Sequence, residues 1–367
     1  MTTPASPEIA DDSVLVEVRG RAGYLTLNRP RTLNALSHIM VRRIDDALTA
    51  WEHDPGVDTV VITGAGERGL CAGGDIRSIH EDARSGGTAS ADFWYDEYRL
   101  NARIARYSKP YVALMDGIVM GGGVGISAHG SVRVATERSR VAMPETGIGF
   151  VPDVGGTHLL AHAPDELGTH LALTGAPVGA ADARLCGLVD YFVPSGWLPA
   201  LLDDLADTPA NEAVARYAEE PDPGELAAQR TWISECYAAD TVEEIVRRLL
   251  DTGLAPAKEA AGTILTKSPT ALKVTLTALR RARQLGTLEG VLEQEYRIAC
   301  AALSSPDLVE GIRAQVIDKD RNPQWSPPAL SEVTDLDVAR FFAPLGRREL
   351  SFALDNTTPA EEIGAQR

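Results

Sequence analysis

Basic residues are scarce in this sequence. Thirty-five lysines and arginines face 52 aspartates and glutamates, a formal net charge of −17. Such a field repels polyanions, so nucleic acid and anionic membrane surfaces are excluded as expected partners. An anionic ligand needs a local basic patch against that background. Cysteine is also sparse. Cys71, Cys186, Cys236 and Cys300 stand far apart, with no CxxC and no Cys/His ligand spacing. A zinc site is therefore not expected, and the four read as isolated buried thiols. No run of about 18 apolar residues occurs, which excludes a transmembrane helix. The opening MTTPASPEIADDS has no apolar core and no arginine, so the expectation is a cytoplasmic protein. No GxxxxGK[ST] loop is present, and Gly123-Val124-Gly125 lacks the third glycine of a dinucleotide fingerprint.

What remains is an ordinary globular composition. The chain has 367 residues, 44% of them hydrophobic. That allows a sizeable core in one large domain or two smaller ones. Residues 14–18 and 24–27 read as strands joined by a hairpin at Gly20-Arg21-Ala22-Gly23. Ser37 caps a predicted helix running to Trp51, with Ile39, Met40, Ile44, Leu48 and Trp51 at helical spacing. Buried strands are predicted at 57–63, 111–115 and 132–135. Helices are predicted at 93–107 and near 126–129. Strands alternate with helices, so the class is α/β. From about 197 to 303 the chain is rich in Ala, Leu, Glu and Arg and reads as mostly helical. The expected layout is a core over residues 1–200, a helical region over 201–355 and a frayed tail over 356–367.

Two glycine-rich segments follow apolar runs: CAGGDI from Cys71 and DGIVMGGGVG from Asp116. Taken singly, each reads equally well as a tight turn or as a place where another group approaches the main chain. Taken together with LNRPRTLNAL, ITGAGERGLCAGGDI, KPYVALMDGIVMGGGVG and AMPETGIGFVPDVGGTHLL, they resemble the crotonase (enoyl-CoA hydratase/isomerase) superfamily over about residues 14–195. The resemblance implies a spiral of ββα turns with a helical C-terminal region. It also implies an acyl-CoA thioester whose carbonyl oxygen lies between two backbone N–H groups. Carried over by motif, those donors are Gly74 and Gly122. Two fixed amides stabilise the charge that develops on a thioester oxygen.

The acid/base positions narrow the branch. Hydratases of this kind carry a glutamate three residues after the middle glycine, where this chain has Gly125. The second glutamate position is filled by Glu145, and Asp153 follows eight residues later. AMPET with PDVGG, FWYDEYRLN and VEGIRAQVIDKDRNPQW together resemble the 3-hydroxyisobutyryl-CoA hydrolase branch. That resemblance implies hydrolysis of a short-chain 3-hydroxyacyl-CoA as part of valine breakdown. Glu145 would act as nucleophile or as base toward water. Asp153 would touch the substrate hydroxyl, position water or tune Glu145, and Glu97 would sit in the substrate pocket. Ala72, Asp75, Ile76, Gly121 and Arg29 complete the expected substrate contacts. Asp75 also reads as a cap for Arg77 or Ser78.

CoA is part of the substrate here, and no separate cofactor or metal is implied. Its phosphates need cations, for which Arg29, Arg31, Arg68 and Lys273 are candidates. Phe93, Trp94 and Phe150 are candidates for setting pocket volume. His129, His158 and His162 read as structural. The superfamily commonly forms trimers or dimers of trimers, so a trimer-based homo-oligomer is one expected state. A C-terminal region folded back on its own core is the other. Two competing activities stay open: a lyase or isomerase using Glu145 alone, and acyl-CoA binding without turnover.

Overall fold

The computed structural model describes residues 12–352. The readings made on the first eleven residues and on the tail lie outside that range. A six-stranded sheet forms the centre. Its strands are β1 (Val14–Arg19), β2 (Ala22–Leu27), β3 (Thr59–Gly64), β4 (Tyr111–Met115), β6 (Val132–Ala135) and β8 (Tyr191–Phe192), in that spatial order. The β1–β2 hairpin is antiparallel and every later pair is parallel. The helices α1 (His38–Glu52), α2 (Ile76–Ser85) and α3 (Ala89–Ala105) lie in the crossovers between β2, β3 and β4. A second, two-stranded parallel sheet pairs β5 (Ile118–Met120) with β7 (Arg140–Ala142).

Both faces of the main sheet are covered, as parallel strands require. In β3, Val60 and Ile62 enter one core and Val61 enters the opposite one. In β4, Tyr111, Ala113 and Met115 alternate with Val112 and Leu114 in the same way. The helix α1 begins where Ser37 accepts the Met40 N–H, and it buries Met40, Val41, Ile44, Leu48 and Trp51. The helix α3 begins at Ala89, four residues earlier than its apolar pattern suggests. The Asp82 carboxylate accepts the amides of Ala89 and Ser90 and so starts the helix on polar residues. Three cysteines are buried, and Cys300 is partly exposed.

The expected helix at 126–129 is displaced. A single turn, α4 (Gly122–Gly125), stands just before it. Gly121 has φ 50°, a left-handed conformation that glycine adopts without a Cβ penalty. The chain therefore enters the turn on its glycines, and 126–129 form only turns beyond it.

Beyond the sheet, α5 (Gly156–Ala161), α6 (Leu167–Thr174) and α7 (Ala180–Leu185) lead to β8. Among the described residues nine α-helices follow: α8 (Leu198–Asp204), α9 (Ala210–Ala215), α10 (Leu226–Tyr237), α11 (Val242–Asp251), α12 (Ala255–Ile264), α13 (Pro269–Leu285), α14 (Leu288–Ala302), α15 (Pro306–Ile312) and α16 (Asp335–Arg340). Several of them return to the N-terminal half, among them α13 against α5, α14 against α3 and α15 against α2. One apolar cluster accordingly runs from Val14 to Leu350. No helix among the described residues is long and apolar enough to cross a membrane.

Candidate active site

The two glycine segments lie side by side. The Cys71 amide donates to Ile118 O at 3.1 Å, and Met120 returns a bond to Cys71 O at 2.9 Å. Leu36 braces the first segment by donating to Gly73 O and accepting from Asp75, each at 2.8 Å. A Cβ built on Gly122 would stand 3.4 Å from the Gly74 nitrogen and 2.7 Å from Glu97 Oε1. Neither the Gly74 nor the Gly122 amide donates to an acceptor among the described residues. Both are thus free for a ligand, and a side chain at 122 would fill the space between them.

Carboxylates surround this point. Glu145 opens a 3-10 turn over Glu145–Ile148, and its Oε1 would lie 2.8 Å from a Cβ on Gly121. Glu97 projects from α3. Asp153 follows Pro152, and its Oδ2 accepts the Tyr98 hydroxyl at 2.7 Å. Glu97, Asp153 and Glu145 are only 2%, 6% and 7% exposed. Glu97 Oε1 and Glu145 Oε2 have no hydrogen-bond partner among the described residues. Buried polar atoms are seldom left unpaired, so orphans facing a cavity mark a place for ligand atoms.

Burial governs the protonation of this group. It pushes Asp153 up to about 7 despite the Tyr98 bond, which favours the charged form. Glu145 and Glu97 are held well above the usual carboxylate range, first by burial and then by the Asp153 charge. Tyr98 is raised in the same manner. Near neutral pH these carboxyls hold fewer negative charges than their number.

All three acids line a cavity of about 310 Å³. Ala72, Gly74, Ile76, Gly121 and Gly122 form part of its wall. Phe93, Trp94 and Phe150 form another part, with the last two rings stacked at 5.3 Å. The C-terminal helical region supplies Lys267, Leu308, Ile312 and Gln315. Burial lowers the Lys267 ammonium, and no acceptor or counter-ion faces it among the described residues. Sequence reasoning had passed over Lys267 and Tyr98. Lys267 lies outside the glycine motifs, although the KSPT that opens α13 signals a helix start beside it. Tyr98 adjoins Glu97 in FWYDEYRLN, but helical position alone does not tell which neighbour faces Asp153.

Not every expected residue reaches this cavity. Arg29 and Asp75 pair with each other at 3.0 Å, and Arg29 also donates to Ala35 O at 2.7 Å. The ion pair draws the Asp75 side chain away from capping, and it makes no cap bond. Neither residue lines the cavity. Arg68 bonds the carbonyls of Pro30 and Arg31. Lys273 is tied to Glu243 at 2.7 Å and to Val333 O at 3.0 Å and does not line the cavity. His129 bonds Val154 O, and His158 and His162 lie ring against ring.

The position of the absent hydratase carboxylate is filled. A Cβ on Gly125 would meet Val154 Cβ at 2.6 Å and Asn101 Nδ2 at 2.9 Å. Val154 belongs to the turn that carries Asp153, so the turn occupies the room a side chain at 125 would need.

The enoyl-CoA hydratase/isomerase family model matches residues 22–342. The chain belongs to the enoyl-CoA hydratase/isomerase family. The chain is 45% identical to the 3-hydroxyisobutyryl-CoA hydrolase, mitochondrial, of Rattus norvegicus, over 92% of this chain and 91% of that one. It is 42% identical to the Homo sapiens protein of the same name, over 94% and 92%. Among solved structures, a carnitinyl-CoA dehydratase from Mycobacterium thermoresistibile is 52% identical, with a TM-score of 0.91, covering 94% of this chain and all of that one. An enoyl-CoA hydratase from Rhodobacter sphaeroides 2.4.1 is 43% identical, with a TM-score of 0.87, covering 93% and 100%. The crotonase-like α/β core and its helical C-terminal region are therefore family features. The names of these relatives divide between thioester hydrolysis and addition or loss of water.

Proposed function

We propose that this chain hydrolyses 3-hydroxyisobutyryl-CoA to 3-hydroxyisobutyrate and free CoA. The packing of Gly125 against Val154 carries this reading. A two-carboxylate hydratase needs a side chain where the Asp153 turn stands. Identity above 40% to hydrolases over nine-tenths of the chain supports the same choice.

The thioester oxygen would accept from the Gly74 and Gly122 amides, which line the cavity. Removing one such donor typically slows an acyl transfer by about 10²–10³. Glu145 would attack the carbonyl carbon and expel the CoA thiolate, which takes a proton, leaving an anhydride that water then splits. The alternative route has Glu145 take a proton from water, which attacks in its place. Both routes add one water, break the C–S bond and leave an acid and a thiol. Asp153 and Glu97 would hold the substrate hydroxyl, and Trp94, Phe150 and Phe93 would limit the acyl group. Lys267 would meet an anionic part of CoA.

The second reading is a dehydratase or isomerase using Glu145 alone, favoured by the 52% identity to the carnitinyl-CoA dehydratase. Thiol release and enoyl formation measured on the same acyl-CoA separate the two. A role in valine breakdown follows from the proposed substrate. A cytoplasmic location is also proposed, whereas the names of the relatives place those proteins in mitochondria. Fractionation of the producing cells tests it.

A further inference from the structure

The buried carboxylates continue behind the cavity wall. Glu295, on α14, is completely buried. Its Oε2 accepts the Gly155 N–H at 2.6 Å, and its Oε1 accepts the Thr157 N–H at 2.9 Å as well as the Thr157 hydroxyl. Those donors begin two residues after Asp153. Between them the chain turns sharply, with Val154 at φ 54° and Gly155 at φ 79°. Gly156 donates to Asp153 O at 2.6 Å and closes the turn. Positive φ is rare for a β-branched residue and persists only where the surroundings impose it. A partly buried imidazole and a fully buried carboxylate do so here. His129, which burial drives down to about 4 and so keeps neutral, meets Val154 O at 2.8 Å. Glu295 takes the amides on the other side.

We propose that Glu295 is a positioning residue of the hydrolysis, a carboxylate clamp from the C-terminal helical region that holds the Val154–Gly155 turn and thereby fixes Asp153 in the cavity with Glu145. The inference rests on the hydrolase reading. Glu145 and Tyr98 feel the Glu295 charge, Glu295 feels that of Asp153, and His129 faces Gly155 from the far side. The contact also explains why α14 lies close to α3 and α5, the elements that flank Asp153.

The test compares wild type with Glu295→Gln, and with Thr157→Val should the first variant fold poorly. A carboxamide cannot accept from both amides, because one of its atoms is itself a donor. For Glu295→Gln the expected result is a kcat about 10–100-fold lower with KM within about threefold, since a small misplacement of a catalytic group costs rate more than binding. Burial pushes Glu295 up to about 8, so above that pH loss of its charge also eases ionisation of Glu145, and the alkaline part of the kcat profile moves to lower pH. Thr157→Val removes one of three bonds and keeps the charge, and kcat falls about 3–10-fold. A folded variant of either kind with kcat within about twofold of wild type overturns the inference. Failure of wild type to release thiol overturns the hydrolase reading and this inference with it.

Discussion

Val154 stands against Gly125, so close that a Cβ on the glycine would lie 2.6 Å from the valine's own. The hydratase carboxylate position and the Asp153 turn therefore exclude each other. Gly125→Ala should cost about 1–3 kcal/mol as an overpacked core site, and thiol release should fall with it because Asp153 shifts. Pairing it with Val154→Gly opens the space and should restore part of the lost melting temperature. A Gly125→Ala enzyme with unchanged melting and turnover would show that the contact is not tight.

Tyr98 sets the acidity of Asp153. The tyrosine hydroxyl favours the ionised carboxylate, against burial that pushes it up to about 7. Tyr98→Phe removes that bond and leaves the ring in place, so the Asp153 pKa should rise further. Wild-type hydrolysis is expected to increase with pH through about 7, and hydrolysis by the variant about one pH unit later. A pH profile of kcat/KM that does not move in the variant would remove Asp153 from the rate-limiting ionisation.

Asp153 should also carry a stability cost. Its folded pKa lies above the unfolded value, so between about 4 and about 7 the unfolded chain has released a proton that the folded chain still holds. The stability it forfeits is absent only below the unfolded pKa, at about pH 3, and accumulates as pH rises toward about 8. Asp153→Asn keeps an acceptor for Tyr98 and removes the charge. The variant should gain about 1–3 kcal/mol at pH 8 and about a quarter of that at pH 4.5, read from melting curves at the two values. Equal gains at both would place the cause outside ionisation.

Much of this site was legible in the sequence because its chemistry is local. Gly74, Gly122, Glu145 and Asp153 sit in short motifs whose glycines and prolines fix the backbone at the residue itself. The strands at 111–115 and 132–135 were equally plain, since buried parallel strands are continuous apolar runs. The one-turn helix at Gly122–Gly125 was misplaced because its start depends on the left-handed φ of Gly121, which composition does not reveal. Glu295, Lys267 and Tyr98 were invisible for another reason. Each meets residues far away in sequence: Glu295 holds Gly155, 140 residues earlier, Tyr98 holds Asp153, and Lys267 lines the cavity of Glu145. Arg29 and Asp75 were read as separate ligands when their opposite charges make them partners.

The central claim is that Glu145 drives thioester hydrolysis. Free-thiol release from 3-hydroxyisobutyryl-CoA, with crotonyl-CoA hydration followed alongside, tests it most directly in wild type and in Glu145→Gln. Wild type should release thiol rapidly, the variant should lose about 10³-fold or more, as removal of a nucleophile or base produces, and neither should hydrate crotonyl-CoA appreciably. Hydration without thiol release by wild type would contradict it.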